Sequence, residues 1–126
     1  MKKKLTTFLC ALTFLFLFSG SSVAIADDFQ DGLDAANRGD FKTAYSLLLP
    51  LAEQGHAKAQ NSLGVLYDGG HGVPQDYVLA LMWLNIAGSN KNEVDVKQRT
   101  ILEKQMTPKE IEKAQDMAIN WKPTSK

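Results

Sequence analysis

The chain holds one cysteine, Cys10, and two histidines, His56 and His71. It also lacks alternating runs of β-branched residues, a second long apolar stretch after Phe18, and an excess of either charge. Each absence excludes something. One cysteine cannot close an intramolecular disulfide, so the fold must rest on packing. Two histidines at separate turns, with no cysteine near either, fall short of the ligand spacing that a metal site needs. Without strand patterning the chain reads as helical throughout. Charges are mixed and no basic stripe appears, so neither nucleic acid nor an anionic membrane surface finds an electrostatic footprint. No G-x-S-x-G elbow is present, and the carboxylates sit at helix caps and exposed faces, not as an acid–base pair. No catalytic residue, metal or cofactor is expected.

The N-terminus does carry a signal. Lys2, Lys3 and Lys4 precede the largely apolar run Leu5 to Phe18, and Ala24-Ile25-Ala26 follows. Basic, apolar, then A-x-A is the order of a secretory leader. The run is shorter than the roughly 20 residues of a membrane-spanning helix. Cleavage is expected after Ala26, with an uncleaved anchor as the alternative. Cys10 lies at the start of the apolar run and not at its end, which argues against lipidation. Removal of residues 1–26 leaves 100 of the 126 residues, enough for one domain. All 14 acids and 11 of the 14 bases remain, a net charge of −3. The product is expected to be periplasmic or secreted.

Helical periodicity then runs through residues 27–122, with 123–126 expected as a disordered tail. Phe29 to Arg38 reads as a first helix closed by Gly39. Asp40 can cap a second, whose apolar face uses Phe41, Ala44, Leu47, Leu48 and Leu51. Pro50 falls inside it and should kink or shorten it. Gly55 ends it. A third helix runs from about Ala57 to Tyr67, and Asp76 can cap a fourth through Ala87. A mostly polar fifth, about Glu93 to Gln105, carries Val94, Ile101 and Leu102. Thr107-Pro108-Lys109-Glu110 opens the last with a capping box and a proline at the first helical position. Its apolar face is Ile111, Ala114, Met117, Ala118 and Trp121, and Pro123 stops it.

The chain matches itself at an offset of 36 residues. Asp40 pairs with Asp76, Phe41 with Tyr77, Ala44 with Ala80, Leu47 with Trp83, Leu48 with Leu84 and Leu51 with Ala87. All are capping or inward positions. An amphipathic helix pair cannot bury its apolar face alone, so stacked pairs share a core. The repeat predicts an all-α protein: a short α-solenoid of antiparallel helix pairs, about two and a half repeats, with a C-terminal capping helix. The glycine-rich stretch Leu63 to Asp76 then reads as a turn. Gly64 to Asp76 spans twelve residues against eight for Gly32 to Asp40, so the second turn has four more. A phosphate loop would lead its amides into a helix, often followed by Lys; Pro74 removes one amide and no Lys follows. Its glycines are expected to supply positive φ, and His71 to be an exposed turn residue. Gly64 in mid-helix should be offset by close approach of a neighbouring helix.

Pro50 to Gly88 resembles the Sel-one-like repeat, a relative of the tetratricopeptide repeat. The pattern A-x-A-Q, LG-x-x-Y, G-x-GV, D-Y-x-x-A and W appears here as Ala57 to Gln60, Leu63-Gly64 and Tyr67, Gly70 to Val73, Asp76-Tyr77 with Ala80, and Trp83. Phe29 to Gly55 is similar to a repeat with a shorter turn, and Thr107 to Trp121 to the closing helix of small exported bacterial members. Glu93 to Gln105 departs from the pattern.

The resemblance implies a concave face lined by the first helix of each pair. That face would carry Lys58, Asn61, Val65 and Asp68, and by the 36-residue shift Val94, Lys97, Ile101 and Lys104. The implied partner is a protein or peptide segment, docked without catalysis by a monomer or weak homo-oligomer. A small envelope hydrolase acting on cell-wall material is the alternative, and paired carboxylates in a cleft would favour it. About three repeats are usually needed for stability, so the last helix should act as a cap whose loss unfolds the chain.

Overall fold

The structure, a computed structural model, describes residues 25–88 and 93–124, the side chains of 93–95 excepted. The expected leader as far as residue 24 and most of the Gly88 to Asn92 break lie outside these residues, as do Ser125 and Lys126. Among the described residues there are six long helices and no strand. They are α1 (25–37), α2 (Phe41–Glu53), α3 (Ala57–Gly69), α4 (Tyr77–Ala87), α5 (Glu93–Glu103) and α6 (Pro108–Asn120). The all-α helix-pair architecture is as expected. None of these helices is long and apolar enough to cross a membrane.

The helix starts follow local chemistry. Asp40 accepts from Thr43 N–H at 3.3 Å and Asp76 from Leu79 N–H at 3.0 Å, each three residues into its helix. Thr107 does the same for Glu110 N–H at 3.2 Å, with Pro108 in the first turn. The α3 cap was not anticipated: His56 Nδ1 accepts from Ala59 N–H at 3.1 Å. Boundaries shift by a few residues. Residue 25 is already helical, so the position expected for cleavage falls within α1's first described turn. The third helix runs on to Gly69, and α5 stops at Glu103. Pro50 does not shorten α2, which continues through it to Glu53.

Two clusters make the core. The first joins Ala35 of α1, Leu48 and Leu51 of α2, Leu63 and Leu66 of α3, and Met82 and Trp83 of α4. The second joins Leu81 and Leu84 of α4 to Leu102 of α5, Met106, and Ala114 of α6. The fourth helix serves both, so it is apolar nearly all round, as a helix with neighbours on several sides must be. By contrast, among its described side chains α5 sends only Leu102 fully inward, while Ile101 stays 53% exposed. Both were read as apolar residues of a mostly polar helix, with Ile101 assigned by the resemblance to the concave face and not to the core.

The internal repeat has a physical counterpart. A Cβ on Gly64 would lie 2.8 Å from Leu84 Cδ2 and 3.2 Å from the Ala80 carbonyl oxygen. A Cβ on Gly32 would lie 2.9 Å from Leu48 Cδ2 and Cγ. Leu48 and Leu84 are 36 residues apart, whereas Gly32 and Gly64 are 32 apart, because the second turn is longer by four. The same glycine-on-leucine crossing therefore closes both helix pairs. The stretch expected as a disordered tail differs from expectation at Thr124, which is bonded to the end of α2.

Candidate functional site

The walls of the candidate site are α1 and α3, the first helices of two successive pairs. Between them lies a hollow of about 300 Å³. Leu33, Ala36 and Asn37 come from α1, and Asn61, Ser62 and Val65 from α3. Leu48 and Leu66, both nearly inaccessible to solvent, close the floor. Val65 remains 43% exposed, an apolar side chain the fold does not cover.

One end of the groove is shut by two rings. Phe41, first residue of α2, stacks on His71 with centroids 4.6 Å apart and an interplanar angle of 29°. The loop glycines make this possible in different ways. Gly70 and Gly72 take positive φ, +65° and +76°, as expected. A Cβ on Gly72 would also collide with the Phe41 carbonyl oxygen, 2.6 Å away. Gly69 is helical, and its missing side chain leaves the space that the His71 ring occupies. His71 is exposed, as expected, yet it is held over Phe41 and the groove.

Of the expected face residues, the structure brings Asn61 and Val65 together in this lining. Lys58 is exposed and Asp68 half-buried on the same helix, outside the lining. Lys97 and Lys104 are exposed on or just after α5 and do not line the groove, while the Val94 side chain lies outside those described. Leu33, Phe41 and His71 were missed as lining residues. The signal for Leu33 was present: carrying Val65 back by the 32 residues that separate Gly64 from Gly32 lands on it. Nothing in the sequence marked the Phe41–His71 stack.

A second hollow, about 320 Å³, lies beside the long turn among Tyr45, Tyr67, Pro74, Asp76 and Leu79. The Tyr45 and Tyr67 hydroxyls are 3.0 Å apart and their rings meet edge-on. Burial first, then the Tyr45 hydroxyl, pushes the Tyr67 phenol well above its ordinary value. It stays protonated at neutral pH and acts as a structural hydrogen-bonding group, not a base. Tyr77 spends its hydroxyl on Gln105, donating to Oε1 at 2.9 Å. Gln60, only 3% exposed, donates to the Ala52 carbonyl at 3.0 Å and so ties α3 to α2. Among the described residues no cluster of His, Cys, Asp or Glu could hold a metal ion.

Comparison with known proteins agrees with this geometry. The Sel1 repeat family model matches residues 29–56 and 57–92. A crystal structure of a protective antigen present in uropathogenic Escherichia coli strains, displaying an SLR fold, superposes with a TM-score of 0.68 at 31% identity. The match covers 77% of this chain and 22% of the antigen's, so the chain spans less than a quarter of that protein's length. No curated protein matches. Repeats of this kind are generally protein–protein interaction modules and typically non-catalytic. Two consecutive repeat matches over more than half of the chain, each containing the same glycine-on-leucine crossing, make it a member of the Sel1 repeat family.

Proposed function

We propose that this protein is an exported, non-catalytic adaptor that docks a peptide or protein segment in the groove between α1 and α3. The observation that carries this reading is the lining itself. It combines Val65, Leu33 and Phe41 with the neutral polar side chains Asn37, Asn61 and Ser62, and it includes no carboxylate. Such a surface buries an apolar side chain beside a neutral polar rim, in which the Ser62 hydroxyl is itself held by donating to the Lys58 carbonyl at 2.9 Å. The volume is at the lower limit for small-molecule sites, about 300 Å³, which suits one anchoring side chain better than a cofactor. Hydrolysis of cell-wall material would need an acid–base pair in the cleft, and the α1–α3 lining supplies none. The carboxylates that do share a hollow, Glu110, Glu112 and Asp116, lie along α6 in a more open one of about 890 Å³. That is where the alternative reading would place its chemistry. Export rests on Lys2 to Lys4, the apolar run after them, and Ala24-Ile25-Ala26. On this reading the mature product works in the periplasm or outside the cell.

In-cell photocrosslinking tests the groove. A crosslinking residue at Val65 or Asn61 should capture a discrete partner; one at Ile119, 79% exposed on α6, should not. Equal capture at all three positions rejects the groove. N-terminal sequencing of the exported protein should begin at Asp27, and recovery of Met1 in the cell extract alone rejects export.

A further inference from the structure

In a solenoid each repeat contacts only its neighbours, so end repeats are free to open on their own. The residues after α6 break that rule. Trp121 sets its ring edge-on to Trp83 of α4, centroids 6.1 Å apart. Pro123 then crosses to the turn between α2 and α3, its Cβ 3.9 Å from where a Cβ on Gly55 would sit. Thr124 completes the crossing with two bonds to one acceptor. Its N–H donates to the Glu53 carbonyl at 2.8 Å and its hydroxyl to the same oxygen at 3.2 Å. Glu53 is the last residue of α2, and a carbonyl there has no partner within its own helix. A segment that follows the capping helix is thus bonded to the first repeat, 71 positions earlier.

We propose that residues 121–124 are a strap that fastens the capping helix to the first repeat, so that the first repeat opens only together with the rest of the molecule. Trp83, 6% exposed, is covered at one edge by the strap. The groove's α1 wall belongs to the repeat that is fastened. The strap therefore keeps that wall from separating locally and holds the docking surface formed in the absence of a partner.

Native-state hydrogen exchange on the full chain tests the strap. Thr124→Pro removes both donors, and amides of α2 between Ala44 and Ala52 should then exchange about tenfold faster. Amides of α4 from Ala80 to Leu84 should keep their protection. Thr124→Val removes the hydroxyl alone and should give the same local pattern, about threefold; it decides the matter if the proline variant does not fold. Trp83 and Trp121 are the only tryptophans, so released variants should also show red-shifted emission before global unfolding. Unchanged exchange in α2, or an equal rise in α2 and α4, overturns the proposal.

Discussion

Gly64 has no room for a side chain because Leu84 and the Ala80 carbonyl lie where its Cβ would be. Alanine there improves helix propensity by about 1 kcal/mol, but forcing a methyl into that crossing costs about 1–3 kcal/mol. Gly64→Ala should therefore lower the urea midpoint, and adding Leu84→Ala should make the pair far from additive. A stabilised single variant would show that the crossing yields easily. Asp40 gives a test in pH. Hydrogen bonding from Thr43, side chain first and backbone N–H second, holds its carboxyl below the ordinary 3.8. A lowered folded-state value means that the unfolded chain binds the proton more readily. The cap's contribution is thus present above the ordinary value and lost as pH falls through the folded one. Asp40→Asn keeps the acceptor without the titration, so its urea stability should fall less than that of the parent between about pH 5 and pH 2.

At the scale of the element, Pro50 is the one residue at odds with its helix. It is exposed in the last third of α2, and the helix continues past it although it offers no N–H to the Ser46 carbonyl. Pro50→Ala restores that bond, and after allowing for the greater freedom of the unfolded chain it should stabilise by about 1–2 kcal/mol. Chemical denaturation measures it; a loss of stability would mean that the ring packs usefully where it is. The long turn between α3 and α4 is held by its own bonds. The His71 N–H donates to the Leu66 carbonyl at 2.9 Å and the Asp76 N–H to the Tyr67 carbonyl at 3.1 Å. Its extra length lets it fold back onto the first residue of α2 and close the groove.

Across the whole molecule the capping helix decides stability. Ala114 belongs to the second core cluster with Leu81, Leu84 and Leu102, and Ile111 packs against it. Trp121 covers Trp83. Without α6 the far side of α4 is open to water, and no disulfide among the expected mature residues compensates. Deleting Thr107 to Lys126 should abolish both helical circular dichroism and the cooperative melt. A truncated chain that keeps both would show that two repeats suffice.

The sequence by itself determined the architecture, because helix periodicity, caps and a repeated set of inward residues are local facts that recur at a fixed offset. Leu84 and Asp76 could be assigned their roles from that offset, Gly64 from the cost of a glycine in mid-helix, and Asn61 and Val65 could be placed on a shared face by the family resemblance. What only the tertiary structure decided lies between elements that are distant in sequence or unlike their repeat counterparts. The stack of His71 on Phe41 has no counterpart in the other turn, so no offset could reveal it. His56 as a cap was hidden because the preferred cap residues are Ser, Thr, Asp and Asn. The bond from Thr124 to Glu53 joins residues 71 positions apart. Periodicity reports which side of a helix faces inward; which distant residue it meets there is settled only when the helices pack.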